Sequence, residues 1–97
     1  MLSKNKIKYI RSLELKKKRK EEGVYVAEGP KVVGDLLKFF RPEIIVATEE
    51  GLSKYTFNSK TEVIEVSDIE LKKVSFLQHP QQILAVLPLP YNLLTFA

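Results

Sequence analysis

The chain contains no cysteine, which removes disulfides, thiol catalysis and cysteine-ligated zinc together and fits a reducing compartment. Histidine is almost as scarce. His79 stands alone in a loop of proline and glutamine, with no acid at ligand spacing, so a metal centre is a poor reading. Nor is there a Gly-x-Ser-x-Gly elbow to pair with it as a hydrolase. Glu28-Gly29-Pro30-Lys31 offers one glycine where phosphate-binding loops and dinucleotide folds need two or three. Long apolar runs are missing too. The uncharged stretch from Val74 onward is broken by Pro80, Pro88, Pro90 and three glutamines, and no segment of about 20 apolar residues exists to span a membrane. The N-terminal MLSKNKIKYIRSL interleaves lysines with its apolar residues and has no signal-peptide core. The expectation is a soluble, cytoplasmic protein without a catalytic apparatus of its own; Glu21-Glu22 and Glu49-Glu50 read as solvated helix ends.

What is present is an ordinary globular composition, 44% hydrophobic and 29% charged, in 97 residues that make a single domain. The net charge of +4 conceals an asymmetry: residues 1–20 carry +8 and the remainder −4, counting side chains. A basic arm of that kind suits a polyanion, RNA or DNA before a membrane, because its apolar face is modest. A solvated lysine-rich helix is the bland alternative.

Ser3 caps a predicted helix over about residues 4–13, with Ile7, Ile10 and Leu13 on one face. Glu14–Glu22 is a second, nearly all-charged helix that stops at Gly23, leaving Lys16–Lys20 toward solvent or a ligand. Val24–Ala27 is expected as a buried central strand. Pro30 opens a helix whose buried face is expected at Val32, Val33, Leu36, Leu37 and Phe40; Gly34 weakens it by about 1 kcal/mol unless a neighbouring backbone needs the room. Glu43–Thr48 is a second strand, Glu49–Tyr55 a short helix and Glu62–Val66 a third strand. Ser67 and Glu70 form a capping box for a helix carrying Ile69, Leu71 and Val74, and Ile83–Leu87 is the last strand. Alternating strands and helices predict an α/β domain, a three-layer α/β/α sandwich on a mostly parallel four-stranded sheet.

The binding chemistry concentrates between Lys16 and Val33, where a basic run meets a strand-to-helix junction. Arg11 and Lys16–Lys20 are candidate phosphate contacts, and so is Lys31 at a helix start. Tyr9 and Tyr25 suit either base stacking or core packing. The amides of Gln78, Gln81 and Gln82 suit base edges or simple solvation.

The order of these parts is familiar: Asn5-x-Ile7-Lys8-x-Ile10-Arg11-Ser12-Leu13, the lysine run with Arg19, Gly23, then Val24-Tyr25-Val26-Ala27-Glu28-Gly29-x-Lys31-x-Val33, and finally His79-Pro80-Gln81-Gln82-Ile83-Leu84-Ala85-Val86. It resembles the N-terminal substrate-binding domain of SpoU/TrmH-type RNA 2′-O-ribose methyltransferases of the SPOUT superfamily, from about residue 3 to Pro90. The resemblance implies a domain similar to kink-turn-binding ribosomal proteins that holds rRNA or tRNA. A following knotted domain would bind S-adenosylmethionine, transfer the methyl group and form the dimer; its cofactor motifs do not occur in these residues, so the chain itself has no cofactor. By the same resemblance residues 1–90 are the RNA-binding unit, as a helical arm 1–22 and a core 23–90, and 91–97 begin a linker. The RNA-facing positions would be Arg11, Lys16, Lys17, Lys18, Arg19, Lys20, Glu28, Gly29, Lys31, His79, Gln81 and Gln82, with Arg19 and Lys31 on phosphates and Glu28-Gly29 mainly shaping the turn. The family usually has glycine at the place of Gln82. The rival expectation is a free-standing kink-turn-type RNA-binding module.

Overall fold

The computed structural model describes residues 2–90. Its elements are helices α1 (Lys4–Ser12) and α2 (Lys16–Glu22), strand β1 (Val24–Glu28), α3 (Pro30–Leu36), β2 (Ile44–Ala47), α4 (Glu49–Leu52), β3 (Glu62–Glu65), α5 (Asp68–Val74) and β4 (Ile83–Pro88). Local chemistry accounts for most boundaries. The Ser3 hydroxyl accepts from the Lys6 N–H to start α1, and Gly23, at φ 69°, ends α2 in the left-handed conformation that glycine adopts cheaply. At α5 both halves of the capping box form: the Glu70 N–H donates to Ser67 Oγ at 3.2 Å, and the Ser67 N–H donates to the Glu70 carboxylate at 3.0 Å.

The strand order is β1-β4-β2-β3. β4 pairs antiparallel with both β1 and β2, and only β2 with β3 is parallel, so the sheet is mixed and the expectation of a mostly parallel one is wrong. Ser75, just past α5, lies beside Glu28, where β1 finishes, and the 75–82 segment stays at that end of the sheet. β4 therefore starts where the other three strands end, and runs against them. It also lies between β1 and β2, which leaves β1, expected at a central position, at an edge.

Period-two alternation sorts the strand residues onto two faces. Val24, Ile44, Val46, Ile64, Leu84 and Val86 pack under α1 and α5, with Ile10, Leu13, Leu71 and Val74. Ala27, Ile45, Ala47, Ile83, Ala85 and Leu87 pack under α3 and the 52–57 segment. The result is an α/β/α sandwich. The alanines on the second face bring α3 close, and the room left by Gly34 is taken by the Tyr55 hydroxyl, a side chain and not the backbone expected; an added Cβ would meet it at 2.9 Å. Two residues expected on the buried face of α3 are on the surface instead. Val32 is 52% exposed on the outer side of α3, which buries Val33, and Phe40 is 38% exposed because α3 ends at Leu36.

Candidate nucleic-acid interface

The basic residues of α1 and α2 fall into two kinds. Lys16 and Lys17 are exposed at the start of α2. The two arginines are anchored. One Arg11 nitrogen donates to the Ser75 carbonyl at 2.8 Å, and its guanidinium lies 5.1 Å above the Phe76 ring. Arg19 Nη1 donates to the carbonyls of Leu13 and Glu14, at 2.8 and 2.7 Å, closing the corner between α1 and α2. An arginine has five N–H donors, so each keeps others for an anion. Lys18 is half-buried and pairs with Glu22 at 3.6 Å; Lys20 is also half-buried.

Glu28 closes this corner from the other side. Its carboxylate accepts the Ser75 hydroxyl at 2.5 Å and the Phe76 N–H at 2.8 Å. Arg11 and Glu28 therefore grip the same two residues, and a groove of about 250 Å³ runs past Leu13, Glu14, Arg19, Tyr25, Val26 and Phe76. Sequence reasoning missed Ser75 and Phe76, since nothing in their spacing marks a loop that will be held by an acid 47 residues away.

A second group gathers at the same end of the sheet. Gly29, at φ 95°, donates its N–H to the Ile83 carbonyl at 2.9 Å and starts α3 beside the 78–82 loop. A Cβ on Gly29 would stand 3.4 Å from the Gln81 side-chain oxygen, so the Glu28-Gly29 step and the His79–Gln82 loop, distant in sequence, are neighbours. Gln82 takes φ 66°, the conformation for which glycine is the natural choice, and its carbonyl accepts the Thr48 N–H at 2.9 Å. Gly51 lies directly under that carbonyl, with no space for a Cβ. His79 and Gln81 are exposed. Lys31 is exposed on the first turn of α3 and pairs with no acid among the described residues. Pro30 lacks an N–H, so that turn has one backbone donor fewer.

Of the two roles open to the tyrosines, packing is what the structure shows: Tyr9, on α1, packs against one core cluster and Tyr25 against the other, on the α3 face. Burial pushes the Tyr9 phenol above its ordinary pKa, and the charges of Glu22 and Glu43 push it further; burial alone raises Tyr25. Among the described residues no cluster of His, Asp and Glu could hold a metal, and no helix is long and apolar enough to cross a membrane.

The model of the MRM3-like substrate binding domain matches residues 4–85. This chain belongs to that family. No curated protein matches it significantly. Among solved structures it is similar to an RNA methyltransferase described as of the TrmH family, from Porphyromonas gingivalis, at 38% identity and a TM-score of 0.86, covering 94% of this chain and 37% of that one. An rRNA methyltransferase from Sinorhizobium meliloti, also solved with AdoMet bound, matches at 26% identity and 0.75, covering 94% and 36%. AviRb, a SpoU methyltransferase from Streptomyces viridochromogenes solved with AdoMet, shares the fold at 13% identity and 0.67, covering 91% and 36%. The chain thus spans a little over a third of the structures it matches, and as a substrate-binding domain of SpoU/TrmH-type RNA methyltransferases it agrees with the resemblance in the sequence.

Proposed function

We propose that this domain holds the RNA substrate, ribosomal or transfer RNA, of an S-adenosylmethionine-dependent 2′-O-ribose methyltransferase. The family match over residues 4–85 carries the proposal, and the concentration of +8 in the first twenty residues supports it. Lys16, Lys17, Lys18, Lys20 and Lys31 contact phosphates, with the unused donors of Arg11 and Arg19 beside them. His79, Gln81 and Gln82 face the RNA from the loop that Gly29 shapes, while Glu28 holds that surface together and touches no phosphate. A fold of the kind seen in kink-turn-binding ribosomal proteins suits this division between a stiff sheet end and a basic flank. Methyl transfer and dimer formation belong to the remainder of such an enzyme, which residues 91–97, outside the described residues, would join to this unit. The test is to titrate the isotope-labelled chain with a structured rRNA hairpin and follow its amide NMR signals. Shifts confined to residues 11–20, 28–31 and 78–82 are expected. Signals that do not move at low salt would overturn the proposal.

A further inference from the structure

A second cationic surface lies at the end of the sheet opposite the Gly29 turn. Segments 37–42 and 55–61 enclose a groove of about 470 Å³ just before the starts of β2 and β3. Phe39 is 80% exposed there, Phe40 38%, and the half-buried Tyr55 and Phe57 rings line the same groove with centroids 6.0 Å apart. One exposed phenylalanine alone would be ordinary, but four aromatic rings gathered in one groove form a contiguous apolar patch of the kind that marks an interaction site.

Charge indicates what covers it. Beyond residue 20 the chain is net acidic, with seven Lys/Arg against eleven acids. Yet four of those seven, Lys38, Arg41, Lys54 and Lys60, fall in residues 35–43 and 54–62, against three acids, Asp35, Glu43 and Glu62, of which Glu62 is neutralised by Lys6 at 2.8 Å. All four are exposed; the one ion pair among them, Lys38 with Asp35 at 3.8 Å, is solvated on both sides and weak. An apolar protein partner has no use for such an imbalance. Exposed aromatic faces beside exposed cations, Lys38 and Arg41 at the groove itself, match a strand of unpaired bases, whose rings stack and whose phosphates run past the lysines and arginine.

We propose that the Phe39–Phe40 groove is a second RNA-binding site, which takes a single-stranded segment with a base stacked on Phe39 and phosphates on Lys38 and Arg41. It rests on the reading of the domain as RNA-binding and adds to it a single-stranded flank, about four residues of sheet or roughly 15 Å from the Gly29 turn. A structured RNA held at the basic arm would thereby also be gripped through an adjoining unpaired strand.

The chain contains no tryptophan, so Phe39→Trp introduces a lone fluorescent reporter at an exposed position. The probes are a single-stranded uridine oligonucleotide about ten long, within the usual site size, and a duplex RNA of similar charge. The proposal expects the oligonucleotide to quench Phe39→Trp emission. It also expects Phe39→Ala to lose about five- to a hundredfold in oligonucleotide affinity, the effect of one lost stack, and Arg41→Gln to flatten the salt dependence. Duplex binding by these variants should be unchanged. If the wild-type chain binds duplex and hairpin RNA while neither variant alters oligonucleotide binding, the inference fails and the RNA-binding reading stands. If no RNA binds in any form, both fail. If Phe39→Ala leaves RNA binding intact but changes self-association in sedimentation, the groove is a protein contact and the inference is wrong.

Discussion

Gln82 holds a conformation that suits glycine better, and its neighbours leave it little choice. At φ 66° a side chain with a Cβ costs roughly 1–2 kcal/mol, against which the extra chain entropy of glycine counts about 0.5–1 kcal/mol. Gln82→Gly is therefore expected to stabilise the domain by about 0.5–1 kcal/mol, visible as a rise of a few degrees in the thermal midpoint. The same contact makes Gly51→Ala destabilising by about 1–3 kcal/mol, since its new methyl would strike the Gln82 carbonyl and displace the loop. Had Gln82 been an error of no consequence, its replacement by glycine would be neutral. A different signature belongs to Tyr9 and Tyr25. Both phenols are raised in the folded chain above the ordinary value near 10, so their contribution is complete below about pH 10 and is lost as the pH climbs through the folded values. Urea midpoints should hold to about pH 10 and then fall, and Tyr9→Phe should reduce the fall. A midpoint that rose with alkaline pH would contradict the assignment.

Among the elements, the clearest dependence is of the 75–82 loop on β1. Glu28→Ala strands the Ser75 hydroxyl and the Phe76 N–H, both part-buried, and is expected to cost about 1–3 kcal/mol; Glu28→Gln should retain part of this. The helical arm behaves otherwise. Lys16, Lys17, Lys18 and Lys20 can be replaced by Ala with little loss of stability, but Arg19 cannot be grouped with them, because it donates to two carbonyls that end α1. Chemical denaturation of the four-lysine variant and of Arg19→Ala separates the two roles. Caps, turns and strand runs were readable in the sequence because each is decided within a few residues: Ser3, Gly23 and Ser67-x-x-Glu70 all act locally. The pairing of strands was not. It depended on which end of the sheet holds the 75–82 segment, and the Glu28 contacts that keep it beside the end of β1 are long-range ones. Phe40 was misplaced because apolar spacing marks a helix face, but α3 stops at Leu36, before that residue. The site was legible as a list of cations and a Glu-Gly turn. That Arg11, Arg19 and Glu28 are engaged with backbone and loop required the tertiary contacts.

At the scale of the whole molecule, residues 1–20 carry +8 and residues 21–97 carry −4, so the cationic charge is concentrated on the helical arm. Charge so divided orients a polyanion as well as attracting it. The domain's central property should then be a salt-dependent affinity for RNA that resides in a few lysines. The measurement that tests this most directly is the affinity of the chain for a structured rRNA hairpin between about 50 and 200 mM salt, beside the Lys16, Lys17, Lys18 and Lys20→Ala variant. With about five phosphate contacts, affinity should fall roughly a hundredfold or more over that range, and the variant should show both weaker binding and a slope shallower by about three. A wild-type affinity indifferent to salt, or a variant that binds as the wild type does, would contradict the account.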